Sequence, residues 1–120
     1  MKTILFADDE KDILKLLTAR LIKQGYRVIT AVNGQEALDL VYQHKPDLIL
    51  LDYRMPVLDG YEACKKIKGD DQIKHIPVIF VTASPGFLSK EIQSSGLAED
   101  YVLKPFEWLK LLDKIKHFIG

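Results

Sequence analysis

Short apolar runs alternate along the chain with longer stretches in which apolar residues recur every three or four positions. Ile4-Leu5-Phe6-Ala7, Val28-Ile29-Thr30-Ala31, Leu48-Ile49-Leu50-Leu51, Val78-Ile79-Phe80-Val81 and Tyr101-Val102-Leu103 have the length and composition of strands. Between and after them, residues 10–24, 35–44, 59–68, 87–95 and 106–119 carry helical spacing, clearest at Trp108, Leu111, Leu112, Ile115 and Ile119. Strict alternation of the two patterns, with strands apolar on both faces, predicts an α/β fold: a doubly wound, five-stranded parallel sheet flanked by five helices. The punctuation agrees. Gly25 closes the first helix, Asn33-Gly34 opens the second, and Lys45-Pro46 and Ile76-Pro77 precede the third and fourth strands. Ser84-Pro85-Gly86 and Ser94-Ser95-Gly96 leave the helix over 87–95 short and predict irregularity there.

With 120 residues and 48% hydrophobic content, the chain has the size of one domain with one core, spanning 1–120. Lys plus Arg and Asp plus Glu are equal at 17 each, with a pI near 6.8, so no overall field draws the protein to nucleic acid or an anionic membrane. Cys64, the single cysteine, cannot form an internal disulfide, and residues after Met1 lack a signal-peptide layout, so a cytoplasmic location is expected. No apolar run approaches the roughly 20 residues of a membrane span.

In an open parallel sheet the ligand crevice lies beyond the carboxyl ends of the strands, so the residues that end each apolar run belong together. The first run ends in Asp8-Asp9-Glu10, the third in Asp52, the fourth in Thr82 and the fifth in Lys104. Carboxylates crowded at one place either keep a proton or recruit a cation. Oxygen donors without a His or Cys cluster suit Mg²⁺ rather than a softer metal. Asp52 is then placed to attack phosphorus as a carboxylate nucleophile, with Mg²⁺, Lys104 and the Thr82 hydroxyl neutralising charge on the phosphoryl oxygens.

Each residue taken singly has a plainer role. Asp9 and Asp59 are also suited to capping the helices that follow them. Thr82 alone reads as a turn hydroxyl and Lys104 alone as a surface lysine, so the inference rests on their joint occurrence at the strand ends. His44, His75 and His117 lack ligand spacing and read as solvated surface. Phe106 and Trp108 read as core-facing and Cys64 as a small buried hydrophobe.

Over essentially the whole chain these motifs resemble the receiver domains of bacterial two-component response regulators. Asp52-Tyr53-Arg54-Met55-Pro56-Val57-Leu58-Asp59-Gly60 resembles that family's phosphorylation loop, Asp8-Asp9 its acidic pair, Thr82-Ala83 its switch threonine with a small neighbour, and Lys104-Pro105-Phe106 its Lys-Pro-Phe motif. The resemblance implies a flavodoxin-like strand order 2-1-3-4-5. It implies Mg²⁺ held directly by Asp9 and Asp52 and by the Arg54 carbonyl, with Asp8 acting through a water. It also implies Lys104 on the phosphoryl oxygens, a cis Lys104-Pro105 bond and Tyr101 as the switch aromatic. The implied partners are a histidine kinase or histidine phosphotransfer protein and a downstream protein of unstated kind, met through the fourth helix, fifth strand and last helix. The implied state is a monomer or weak dimer. On this reading the chain is not an enzyme in the turnover sense but catalyses only its own phosphorylation and dephosphorylation.

Two features depart from the pattern. Gly96 lies five residues before Tyr101 and is followed by Leu97-Ala98, and Ser84-Pro85-Gly86 opens the fourth helix. Three other readings compete. A flavodoxin-like cofactor binder would need Gly, Ser or Thr after the first strand, where three acids stand. An aspartyl-phosphate phosphatase would carry an acid at position 54, where Arg54 stands. A pseudo-receiver, a protein-interaction module regulated without phosphate, would lack one of the acids or the lysine. A receiver cut from a longer regulator stays open beside the stand-alone form.

Overall fold

The computed structural model describes residues 1–83 and 96–120. Five strands, β1 (Thr3–Ala7), β2 (Arg27–Ala31), β3 (Leu48–Leu51), β4 (Val78–Thr82) and β5 (Asp100–Leu103), form one parallel sheet in the order β2-β1-β3-β4-β5. Among the described residues there are four helices: α1 (Lys11–Lys23), α2 (Gly34–His44), α3 (Gly60–Lys68) and α4 (Trp108–Ile119). The expected helix over 87–95, with its irregular flank at 84–86, lies outside the described residues. Strand and helix limits fall within two residues of those read from the hydrophobic pattern, and the sheet order is the one the family resemblance implied.

Why the strands read as unbroken apolar runs is plain from the packing. Successive side chains alternate between the two faces of a strand, and here both faces are covered. Leu5, Ala7, Ile49, Leu51, Val78 and Phe80 face one core with α2 and α3. Ile4, Phe6, Leu48, Leu50, Ile79 and Val81 face the other with α1 and α4. Burial of each large side chain contributes about 2 kcal/mol. Truncation of one, such as Leu50→Ala, costs roughly 2–5 kcal/mol because the cavity cannot close.

The helix starts hold the loops that matter. Asn33 caps α2 by accepting from the Glu36 amide at 2.8 Å, and Asp59 caps α3 by accepting from the Glu62 amide at 2.8 Å. Asp59 therefore takes the capping role and Asp9 does not; α1 starts after Glu10 with no side-chain cap. Two glycines let backbone meet backbone. A Cβ on Gly34 would lie 1.9 Å from the Leu58 carbonyl oxygen, and one on Gly60 would lie 2.1 Å from that of Asp52. Within the loop between β3 and α3, Val57 adopts φ +70° and the Leu58 amide donates to the Pro56 carbonyl at 2.8 Å. A β-branched residue spanned by such a three-residue turn is strained backbone.

Candidate functional site

The site follows from the two-residue alternation carried one step past the strand ends. Asp8, Asp52 and Lys104 continue the α1-side rows of β1, β3 and β5, and Thr82 ends the α2-side row of β4. The ladder itself extends to them. The Asp52 amide donates to the Ala7 carbonyl at 2.9 Å and the Lys104 amide to the Thr82 carbonyl at 2.7 Å. Three strands thus present an acid, an acid and a lysine to one another on the same side of the sheet.

Lys104 is the hub. Its side chain is 10% exposed and its ammonium lies 2.7 Å from Asp8 Oδ2, 3.3 Å from Glu10 Oε1 and 3.4 Å from Asp52 Oδ2. Asp8 is wholly buried and also accepts from the Glu10 amide at 2.9 Å. The carboxylate oxygens of Asp8, Glu10 and Asp52 lie within 4.8 Å of one another. Burial, and then the Asp8 charge, push the Asp52 carboxyl up to about 6; Lys104 pulls the other way without cancelling them. Burial pulls the Lys104 ammonium down, but its hydrogen bond to Asp8 and the charges of Asp52 and Asp8 outweigh that and leave it above its ordinary value. Negative charge in this cleft therefore exceeds what one lysine neutralises.

A cleft of about 250 Å³ opens on these groups, lined by Asp9, Glu10, Asp52, Arg54, Thr82, Ala83 and Lys104. Of the residues expected in the site, Asp9, Asp52, Arg54, Thr82 and Lys104 line this cleft, whereas Asp8 and Tyr101 do not. Asp52, Lys104 and Thr82 converge, and Asp8 lies beneath. Asp9 and Arg54 are exposed at the mouth. Tyr101 is half-buried on the other side of the sheet, packed against the α2–α3 core and paired with Phe80 across the β4–β5 ladder. The Lys104-Pro105 bond is cis. Within the acid run it is the Glu10 carboxylate, rather than that of Asp9, that joins Asp8 and Asp52. The acid run Asp8-Asp9-Glu10 contained that signal, but not which of its members turns inward.

These donors fit a hard divalent cation. They are carboxylate oxygens in a crowded, partly buried group, and the raised Asp52 carboxyl shows that further positive charge would be favourable. The three histidines are exposed, and Cys64 is buried in the α2–α3 core with its thiol pushed up to about 12 by burial, so neither residue type offers a softer ligand here.

The chain belongs to the response regulator receiver domain family, whose profile matches residues 4–116. Domains of this family accept a phosphoryl group on an aspartate from a kinase in two-component signalling. The polar-differentiation response regulator DivK of Brucella anthropi is 38% identical over 119 residues, covering 99% of this chain and 97% of that protein. The response regulator TrrA of Thermotoga maritima, solved in complex with Mg²⁺ and BeF, is 37% identical with a TM-score of 0.89, covering 99% of this chain and all of that one. The receiver domain of a Pseudomonas aeruginosa sensor histidine kinase, solved with a magnesium ion in its active-site cleft, is 31% identical with a TM-score of 0.89, covering 99% and 98%. Among the described residues no helix is long and apolar enough to cross a membrane.

Proposed function

We propose that this chain is a cytoplasmic response regulator receiver that accepts a phosphoryl group on Asp52 in a Mg²⁺-dependent reaction. The donor would be a histidine kinase or a histidine phosphotransfer protein. The observation that carries the reading is the convergence of Asp8, Asp52 and Lys104 within one cleft, at 2.7 and 3.4 Å from a single ammonium. Asp9 and Asp52, with the Arg54 carbonyl, would hold the ion, and Asp8 would act through a coordinated water. When bound, Mg²⁺ supplies positive charge against the phosphoryl oxygens.

An Asp52 carboxylate oxygen forms the new bond to phosphorus as the P–N bond of the donor phosphohistidine breaks, and the electron pair leaves with the imidazole. Lys104 is placed to hold a phosphoryl oxygen in exchange for part of its contact with Asp52. Thr82, itself buried, lines the same cleft. Thr82 and Phe80 follow one another on the α2-side row, and Tyr101 pairs with Phe80. A Thr82 side chain drawn toward the phosphoryl group therefore changes the surroundings of Tyr101, which is the proposed link to the face carrying β5 and α4. Only the difference in phosphoryl contacts between the two states drives such a shift, so Thr82 and Lys104 must supply a few kcal/mol of it. The chain then acts once per phosphoryl group and is not a turnover enzyme.

Intact mass after incubation with acetyl phosphate tests this. One added phosphoryl group that requires both Asp52 and Mg²⁺, and is lost in Asp52→Asn or with EDTA, supports the reading. A folded protein that binds Mg²⁺ yet takes up no phosphoryl group points instead to a pseudo-receiver interaction module.

A further inference from the structure

The opposite end of the sheet carries a second charge network that the phosphorylation reading does not use. The Lys68 side chain, in the last turn of α3, is 14% exposed, and that of Glu99, just ahead of β5, is 28% exposed. The Lys68 ammonium donates to the Glu99 carboxylate, to the Ile76 carbonyl at 2.7 Å and to the Lys74 carbonyl at 3.1 Å. All three ammonium protons therefore have acceptors. Glu99 in turn accepts from the Val78 amide at 3.1 Å through its side chain, while its own amide donates to the Val78 carbonyl at 3.0 Å. One side chain thus fixes the loop that leads into β4 and the residue that leads into β5.

Strand β5 depends on this more than any inner strand would. It has four residues, sits at the sheet edge and, among the described residues, pairs only with β4. Its far end delivers Lys104, whose amide donates to Thr82. From Glu99 to Lys104 is five residues, about 16 Å of extended chain. A strand is stiff along its length, and its register decides which face every side chain takes. A shift admitted at Glu99 is therefore delivered to Lys104, where a displacement on the order of 1 Å is enough to spoil a positioned charge.

We propose that Lys68 and Glu99 are positioning residues for phosphorylation: they set the β4–β5 register from the amino end and so hold the Lys104 ammonium over Asp52. The inference rests on the receiver reading of Asp52. Wild type, Lys68→Met, Lys68→Arg and Glu99→Gln are compared, with Lys65→Met as a control for loss of an exposed charge on the same helix. The first readout is amide hydrogen exchange. In Lys68→Met the Lys104 amide is expected to exchange about tenfold faster while the Asp52 amide keeps its protection. The second readout is the rate of phosphorylation by acetyl phosphate across a Mg²⁺ titration. The rate at saturating Mg²⁺ is expected to fall about tenfold with the Mg²⁺ midpoint unchanged within about twofold, to recover in Lys68→Arg, and to stay at wild type in Lys65→Met. Glu99→Gln, which keeps an acceptor for Val78, is expected to show a smaller loss of the same kind, and it carries the test alone if Lys68→Met does not fold. Wild-type rates in the folded variants, or a rate loss matched by a shift in Mg²⁺ midpoint, overturn the positioning role. A wild-type protein that takes up no phosphoryl group at all fails the receiver reading itself, and the positioning role with it.

Discussion

At the amino ends of β4 and β5 the Lys68 ammonium meets the Glu99 carboxylate, with two carbonyls completing its shell, and Lys114 pairs with Asp100 at 2.8 Å; at the carboxyl ends one ammonium, Lys104, faces three carboxylates, of which Asp8 is wholly buried. The first arrangement is balanced and asks for nothing more. The second is short of positive charge, and burial followed by the Asp8 charge holds the Asp52 carboxyl up at about 6. Strand β5 thus has a matched pair at the end where structure is needed, and at the other end a lysine outnumbered by the acids that follow β1 and β3, where a charged ligand is to be taken up.

The sharpest way to break this contrast is to remove the hub. Lys104→Met leaves Asp8 buried beside Asp52 with no cation, which is expected to lower stability by about 3 kcal/mol and the phosphorylation rate roughly 10²–10³-fold. Urea unfolding and acetyl phosphate kinetics measure the two losses. Restoring charge by another route comes next. Mg²⁺ at about 100 times its dissociation constant should raise the unfolding free energy by about 2.7 kcal/mol, and EDTA should abolish the gain. If urea midpoints with and without Mg²⁺ coincide, the carboxyl-end acids do not bind the ion.

Acid titration probes the same deficit more gently. The folded Asp52 carboxyl stands at about 6 against an ordinary 3.8, so between these values the folded state holds more proton on this group than the unfolded state does. Its contribution to stability is therefore lost as pH rises through that window and is level above it. In EDTA, the urea midpoint of Asp52→Asn should match wild type near pH 4, gain on it up to about pH 6 and keep a constant lead beyond. The smallest effect concerns strain rather than charge. Val57 is 82% exposed at φ +70°, so Val57→Gly removes a backbone penalty without removing packing and should raise the urea-derived stability by about 1 kcal/mol.

Much of this was legible in the chain because burial on both faces of the sheet forces the strands to be unbroken apolar runs. The residue that ends each run then announces itself by polarity, which is how Asp8, Asp52, Thr82 and Lys104 were found. What escaped depends on turn geometry. Asp9 and Glu10 are both acids one step apart, and only the turn into α1 decides that Glu10 reaches Lys104. Val57 carries no mark of its left-handed conformation, since a valine is the residue least expected there. Lys68 and Glu99 lie 31 positions apart and look like surface charges until α3 and β5 are brought side by side. The sheet order and the cis bond before Pro105 came from family resemblance, not from periodicity.

The two close glycine approaches bear on how portable the acceptor loop is. The segment from Asp52 to Gly60 is closed by the Gly60 amide on the Tyr53 carbonyl at 2.8 Å, and its outer edge rests directly on Gly34 of a different helix. A transplant of those nine residues into another α/β scaffold would arrive without the bare patch of backbone they lean on. The working unit for such a graft is therefore discontinuous: the loop, plus one glycine eighteen positions upstream of Asp52, at a place where any side chain would occupy the seat of a carbonyl oxygen.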